Sequence, residues 1–150
     1  MRKSVIVLSA VIALSSANFV NASEGEPVKR AIHARKAAFT LIAANLGPMG
    51  AMVKDKIPFD KGEFILRAAN LEVLSKMPWE FFIPGSQGGS EARPSVWEKA
   101  DDFKAKAEIF QEKVADLVKV NKGGDEKAMR IQFAKVARTC KSCHRDYKRD

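Results

Sequence analysis

Cys140-Lys141-Ser142-Cys143-His144 gathers both cysteines of the chain and one of its two histidines into five consecutive positions. Two thiols three residues apart, followed at once by an imidazole, form the pattern for covalent attachment of a c-type haem. Each thiol adds to a vinyl group of the ring, and the imidazole binds the iron. On a helix, residues i, i+3 and i+4 share one face, so Cys140, Cys143 and His144 address one flat ligand. Zinc is a rival account, with His33 completing a Cys₂His₂ set. Against it, the adjacent Cys143 and His144 diverge in direction on a helix, and there is no second CxxC or paired histidine. A thioredoxin-like redox pair needs a βαβ setting, which the sequence lacks. A disulfide across three residues would close a very small loop and stabilise little.

A haem iron held by His144 has a sixth position to fill. Methionine is the usual second ligand in electron-transfer cytochromes c. Beyond the N-terminal segment the methionines are Met49, Met52, Met77 and Met129, and none falls mid-helix opposite the cysteines. The remaining histidine, His33, sits one position off the apolar seam of its helix. Phe39 occupies that seam and cannot ligate iron. The residues therefore imply a five-coordinate iron with a hydrophobic cover. Arg35 is the one charge on the same seam, and a buried charge needs a partner. A haem carboxylate would suit its planar guanidinium.

Four helical segments position these residues, and no segment reads as a strand. Ile32, Arg35, Phe39, Ile42 and Leu46 alternate spacings of three and four, which predicts a helix from Pro27 to Leu46 ended by Gly47-Pro48. After a connection over Met49 to Phe59, Asp60 and Glu63 form a capping-box pattern. Phe64, Ala68, Leu71 and Leu74 or Ser75 give the second helix its inner face, and Pro78 ends it. Residues Pro78 to Pro94 make one long glycine- and proline-containing loop, whose Trp79, Phe81 and Phe82 are too apolar for a free linker. Ser95 and Glu98 suggest a second capping box. Val96, Ala100, Phe103, Ala107, Phe110, Val114 and Leu117 then mark a third seam, broken at Asn121 to Gly124. Asp125 opens the last helix, where Met129, Phe133, Val136, Cys140, Cys143 and Tyr147 repeat the rhythm. The expected fold is all-α: an antiparallel up-down-up-down four-helix bundle, of the kind that holds cofactors between facing helices.

Arg2 and Lys3, the apolar stretch from Val5 to Leu14, and Val20-Asn21-Ala22 read as an export signal over residues 1–22. That leaves one domain, residues 23–150. No segment is long enough to span a bilayer. The domain holds 24 Lys and Arg against 18 Asp and Glu, a net +6. Signs are interspersed along the chain, with no basic stripe interleaved with aromatics, so nucleic acid is not an expected partner. No nucleophile–base pair, paired carboxylates or phosphate loop points to an enzyme.

With these residues in place, the chain resembles cytochrome c-prime, the class II c-type cytochromes. The C-terminal placement of the haem motif carries much of the resemblance. So do Arg35 followed by Phe39, Gly47-Pro48-Met49, the Lys54 to Phe59 turn, Pro78-Trp79, the Gly85 to Gly89 loop and Pro94 to Trp97. The resemblance implies one covalent haem c per chain, with Cys140 and Cys143 as anchors and His144 as axial ligand. It places Arg35 and Lys36 by the haem propionates, Phe39 over the distal face, and Trp79, Phe82 and Glu91 at the haem edge. Lys36 and Lys148 depart from the Gln and Arg that many members carry there. A periplasmic protein binding nitric oxide and carbon monoxide is the function implied, with an electron carrier without a gas role as the alternative. The redox partner is not identified. Homodimerisation through the first two helices is common in the family, although their outer faces read as a mixture without a clear apolar patch.

Overall fold

The computed structural model describes residues 20–149, with side chains from residue 25 onward. The expected export signal lies outside these residues except for Val20 to Ala22, which begin the first helix. The helices are α1 (Val20–Val53), α2 (Lys61–Leu74), α3 (Ser95–Glu98), α4 (Ala100–Lys122) and α5 (Glu126–Tyr147), with a 3₁₀ turn at Trp79–Phe81. No strand occurs among the described residues; a single antiparallel bridge joins Ala92 to Lys148. The four long helices α1, α2, α4 and α5 form an antiparallel bundle. α4 packs along α5, and α2 packs against both α1 and α4. α1 meets α5 more lightly, and a cavity opens between them.

The seams predicted from periodicity are the buried faces. Phe64, Ala68, Leu71, Val114, Leu117, Met129 and Val136 are sealed from solvent and form one core with Met49, Met52, Phe110 and Phe133. A smaller cluster of Val96, Phe103 and Tyr147 lies at the other end. Ala100 is exposed and leaves the third seam.

Helix ends differ from expectation, beginning with the first: α1 starts at Val20, before Pro27, which lies inside it. α1 continues through Gly47-Pro48 to Val53. A proline inside a helix costs about 3 kcal/mol. Here the extension buries Met49 and Met52 to 0% and 1% exposure, and each buried side chain of that size returns about 1.5–3 kcal/mol. Pro48 has no N–H for the Ala44 carbonyl, and Arg67 Nη1 donates to that oxygen instead, at 3.1 Å. Arg130 caps the new end by donating to Met52 O at 2.9 Å and Val53 O at 3.0 Å.

The third predicted helix is divided at Lys99. Its capping box does not form, because Ser95 Oγ donates to Asp146 O at 2.9 Å. The break lets Trp97 Nε1 reach Phe82 O and Ile83 O, both at 3.1 Å. Asp60 does cap α2, accepting from Glu63 N at 2.9 Å. Glu63 turns to Arg67 rather than back to the cap.

The outer faces of α1 and α2 are also more apolar than they read. Leu41, Leu66, Val73 and Met77 are all exposed, Leu66 and Val73 by 61%.

Candidate functional site

Folding places Cys140 and Cys143, both half-buried, and His144, which is exposed, along α5 between the buried Val136 and Tyr147. All three line one cavity of about 490 Å³, within the range for small-molecule and cofactor sites. Facing them from α1 are Phe39, Ile42, Ala43 and Leu46, with Phe103 and Phe110 closing the α4 side. Every candidate residue named from sequence lines this space: Arg35, Lys36, Phe39, Trp79, Phe82, Glu91, Cys140, Cys143 and His144.

The two cysteines are not joined to each other. Burial pushes both thiols up, Cys143 to about 11, so neither is a thiolate at neutral pH. The reactive form for oxidation or adventitious metal binding is therefore scarce. Burial also lowers the His144 pKa, Lys148 lowers it further, and Glu91 opposes both. The imidazole is neutral at pH 7, which is the ligating form. Among the described residues no group of three or more His, Cys, Asp or Glu is placed to hold a metal ion. His33 is exposed and does not line the cavity, so the alternative zinc set is not assembled.

Phe39 is held in place by other rings. It meets Trp79 edge-on at 5.8 Å and Phe82 at 6.3 Å. Trp79 is fixed by its indole N–H, which donates to Ser75 O at 2.6 Å. No methionine lines the cavity. Met49, Met52 and Met129 belong to the main core, and Met77 is exposed. Of the lining amines, Lys106 lies 3.2 Å from Asp146 and Lys148 lies 2.9 Å from Glu91. Lys36 is exposed at the margin.

Arg35 differs from its sequence reading. It is 2% exposed, and its partners are neutral oxygens of the long loop. Nη1 donates to Phe81 O at 3.2 Å and Ser86 Oγ at 2.7 Å. Nη2 donates to Ser86 O at 2.5 Å and Ser90 Oγ at 2.7 Å. The guanidinium also lies 4.7 Å over the Phe82 ring and 5.7 Å over Trp97. Burial lowers its pKa, and no carboxylate neutralises it. Arg35 therefore latches the loop that carries Phe82, Ser90 and Glu91. Sequence reasoning missed Ser86, which is fully buried, because a glycine-rich loop has no period to mark an inward residue. The rim is tied down a second time: Arg149 N donates to Glu91 O at 2.7 Å, and Arg93 N donates to Tyr147 O at 2.9 Å. The lining role of Phe103 and Tyr147 was signalled by their seam positions alone.

The fold and site together match the helical-bundle class of c-type cytochromes. Residues 30–148 match the family model described as Cytochrome C′. A cytochrome c′ of Alcaligenes xylosoxydans xylosoxydans is 36% identical over 119 residues, covering 79% of this chain and 93% of the relative. The solved cytochrome c prime from Shewanella frigidimarina is 44% identical, with a TM-score of 0.79, covering 82% of this chain and 97% of that one. A nitric oxide complex of a variant of cytochrome c prime from Alcaligenes xylosoxidans is 35% identical, with a TM-score of 0.76 and coverages of 82% and 97%. Another variant of that protein has been solved with carbon monoxide bound. The chain belongs to the cytochrome c′ family, whose members are non-enzymatic haem proteins. Membership implies covalent haem c, and the pair Cys140 and Cys143 fits its attachment motif. The cavity fits the group as well: it is apolar, walled by both thiols, and supplied with one neutral imidazole.

Proposed function

We propose that this protein is a periplasmic haem c protein that binds nitric oxide and carbon monoxide at a five-coordinate iron. One observation carries this reading. His144 is the only imidazole or thioether side chain lining the cavity, and the opposite wall is Phe39, Ile42, Ala43 and Leu46. In this reading Cys140 and Cys143 hold the ring and His144 ligates the iron. Haem supplies the metal at which a diatomic gas binds. The chain controls what reaches it. Phe39 crowds the distal side and offers no hydrogen-bond donor. The nearest hydroxyl on α1, Thr40 Oγ1, already donates to Lys36 O at 2.9 Å. Bound dioxygen is polar and depends on distal donors; nitric oxide and carbon monoxide depend on them less. That solved relatives hold both gases supports the reading.

Lys36, and Arg35 through an Nε that makes none of the loop hydrogen bonds, would hold the propionates, while Trp79, Phe82 and Glu91 would border the ring. Residues 1–22 direct export and are removed, leaving 23–150 as the mature domain. The exposed Leu41, Leu66, Val73 and Met77 support a homodimer through α1 and α2. The test is one set of visible spectra of the purified holoprotein, oxidised and reduced, with and without nitric oxide. A high-spin spectrum that changes on adding the gas to the reduced protein is expected. A low-spin, six-coordinate spectrum at neutral pH would instead favour an electron carrier without a gas role.

A further inference from the structure

The segment from Lys127 to Arg149 carries eight Lys and Arg and a single acid, Asp146. Outside it, the domain of residues 23–150 holds sixteen Lys and Arg against seventeen Asp and Glu. The whole net positive charge of the domain therefore resides between Lys127 and Arg149, on α5 and the residues that follow it. Lys127, Lys135, Arg138, Lys141, Arg145 and Arg149 are exposed. Arg138, Lys141 and Arg145 follow at three- and four-residue steps, so they share a face of α5, opposite the buried Met129, Phe133, Val136 and Tyr147. Asp146 is already paired with Arg145 at 3.0 Å and Lys106 at 3.2 Å. Lys127, Lys135, Arg138 and Lys141 take part in no ion pair among the described residues.

We propose that the outer face of α5 is a docking surface for an acidic one-electron redox protein. The proposal rests on the haem reading for its purpose, since Lys141 stands between the two anchoring cysteines. A helix with its side chains is about 10 Å across, so a partner on the outer face comes within roughly one helix width of the group on the inner face. One electron passes between partner and iron, one being oxidised as the other is reduced, and no bond is made. Charge of one sign on one face steers an oppositely charged partner into register. A lipid surface fits less well. The apolar side of α5 is already spent in the core, and Ile131 is the one large apolar residue it exposes, so little is left to insert. Nucleic acid fits less well too, because no aromatic lies on this face.

The test compares two triple variants of equal net charge. The face variant is Lys127→Glu, Lys135→Glu and Arg138→Glu. The control is Lys56→Glu, Lys76→Glu and Lys122→Glu, all exposed and outside α5. Reduced flavodoxin, a small acidic flavoprotein, serves as electron donor to the oxidised holoproteins in stopped flow. At low ionic strength the second-order rate should fall at least tenfold in the face variant and less than threefold in the control, the gap closing at high salt. Equal losses in the two variants would overturn the proposal, because only net charge would then matter. Loss of binding to phosphatidylglycerol vesicles in the face variant, with an unchanged flavodoxin rate, would overturn it in favour of a lipid surface. A chain purified without covalent haem would end the haem reading alone. Docking would then be judged by fluorescence anisotropy with a labelled glutamate decapeptide, and equal affinity for both variants would overturn it.

Discussion

At the scale of single residues, two side chains divide the work on the α1 wall. Phe39 lines the cavity from α1 and meets Trp79 and Phe82 edge-on. Truncating it opens space without disturbing the wall behind, since Ile42 and Leu46 pack independently on the core. Phe39→Ala should therefore speed carbon monoxide association to the reduced protein by at least tenfold in flash photolysis, with Phe39→Leu between. An unchanged on-rate would remove Phe39 as the cover. Arg35 does something its spacing did not reveal. Its charge is buried, yet every hydrogen bond it makes goes to a neutral loop oxygen, and Ser86 supplies two of them. Removing a buried acceptor from a charged donor costs about 1.5–3 kcal/mol. Ser86→Ala should lose that much in urea unfolding of the holoprotein. A loss below about 0.5 kcal/mol, within the ordinary range for surface changes, would show that the latch contributes nothing.

At the scale of elements, hydrophobic period made the four long helices and their inward faces readable before any coordinates. It failed where long-range partners override local rules. Gly47-Pro48 is a sound stop signal by local chemistry. α1 nevertheless runs on, because Met49 and Met52 have a core to enter and Arg67 replaces the partner that Pro48 denies to Ala44. Ser95 and Glu98 make a sound capping pattern, but Ser95 is drawn to Asp146 on α5 instead. Neither partner lies within reach of a sequence window. The nine candidate site residues were legible because a motif fixed three and a seam or family pattern fixed the others. Ser86 and the basic face of α5 were not. The first lacks a period, and the second is a local excess of Lys and Arg near the C-terminus that a reading of charge over the whole chain averages away. If the core drives α1 through Pro48 against a local penalty, removing the penalty should help. Pro48→Ala restores an N–H for Ala44 O and should stabilise the holoprotein by about 1–2 kcal/mol, less than the full proline cost because Arg67 already serves that oxygen. The check is a higher urea midpoint at unchanged m-value. A lower midpoint would mean that the proline ring packs productively.

At the scale of the whole molecule, both association and stability turn on surfaces that the isolated polypeptide leaves uncovered. Leu66 and Val73 are exposed on α2 and Leu41 on α1, so Leu66→Glu with Val73→Glu should give a monomer in sedimentation velocity where the parent chain sediments as a dimer. A parent chain that is monomeric at every concentration would end that reading. The interior poses the larger question. The cavity between α1 and α5 measures about 490 Å³, and its exposed lining residues Lys36, Glu91 and His144 open it to water; a closed, dry void of that size would cost on the order of 10 kcal/mol at about 24 cal/mol per Å³. Domains of this size are stable by only about 5–15 kcal/mol in total. A chain without haem therefore either wets this apolar space or closes over it, and both loosen the packing. Closure would disturb the aromatic contacts among Phe39, Trp79, Phe82 and Phe103. The helices themselves survive such a collapse more readily than their packing does, because the main core at the other end stays dry. Cys140→Ala with Cys143→Ala should accordingly retain much of its far-ultraviolet circular dichroism, lose the near-ultraviolet signal and melt without a sharp heat-absorption peak. A cooperative calorimetric transition in that haem-free variant would show that the four seams specify the bundle unaided, and that the cavity is far cheaper to hold than its volume implies.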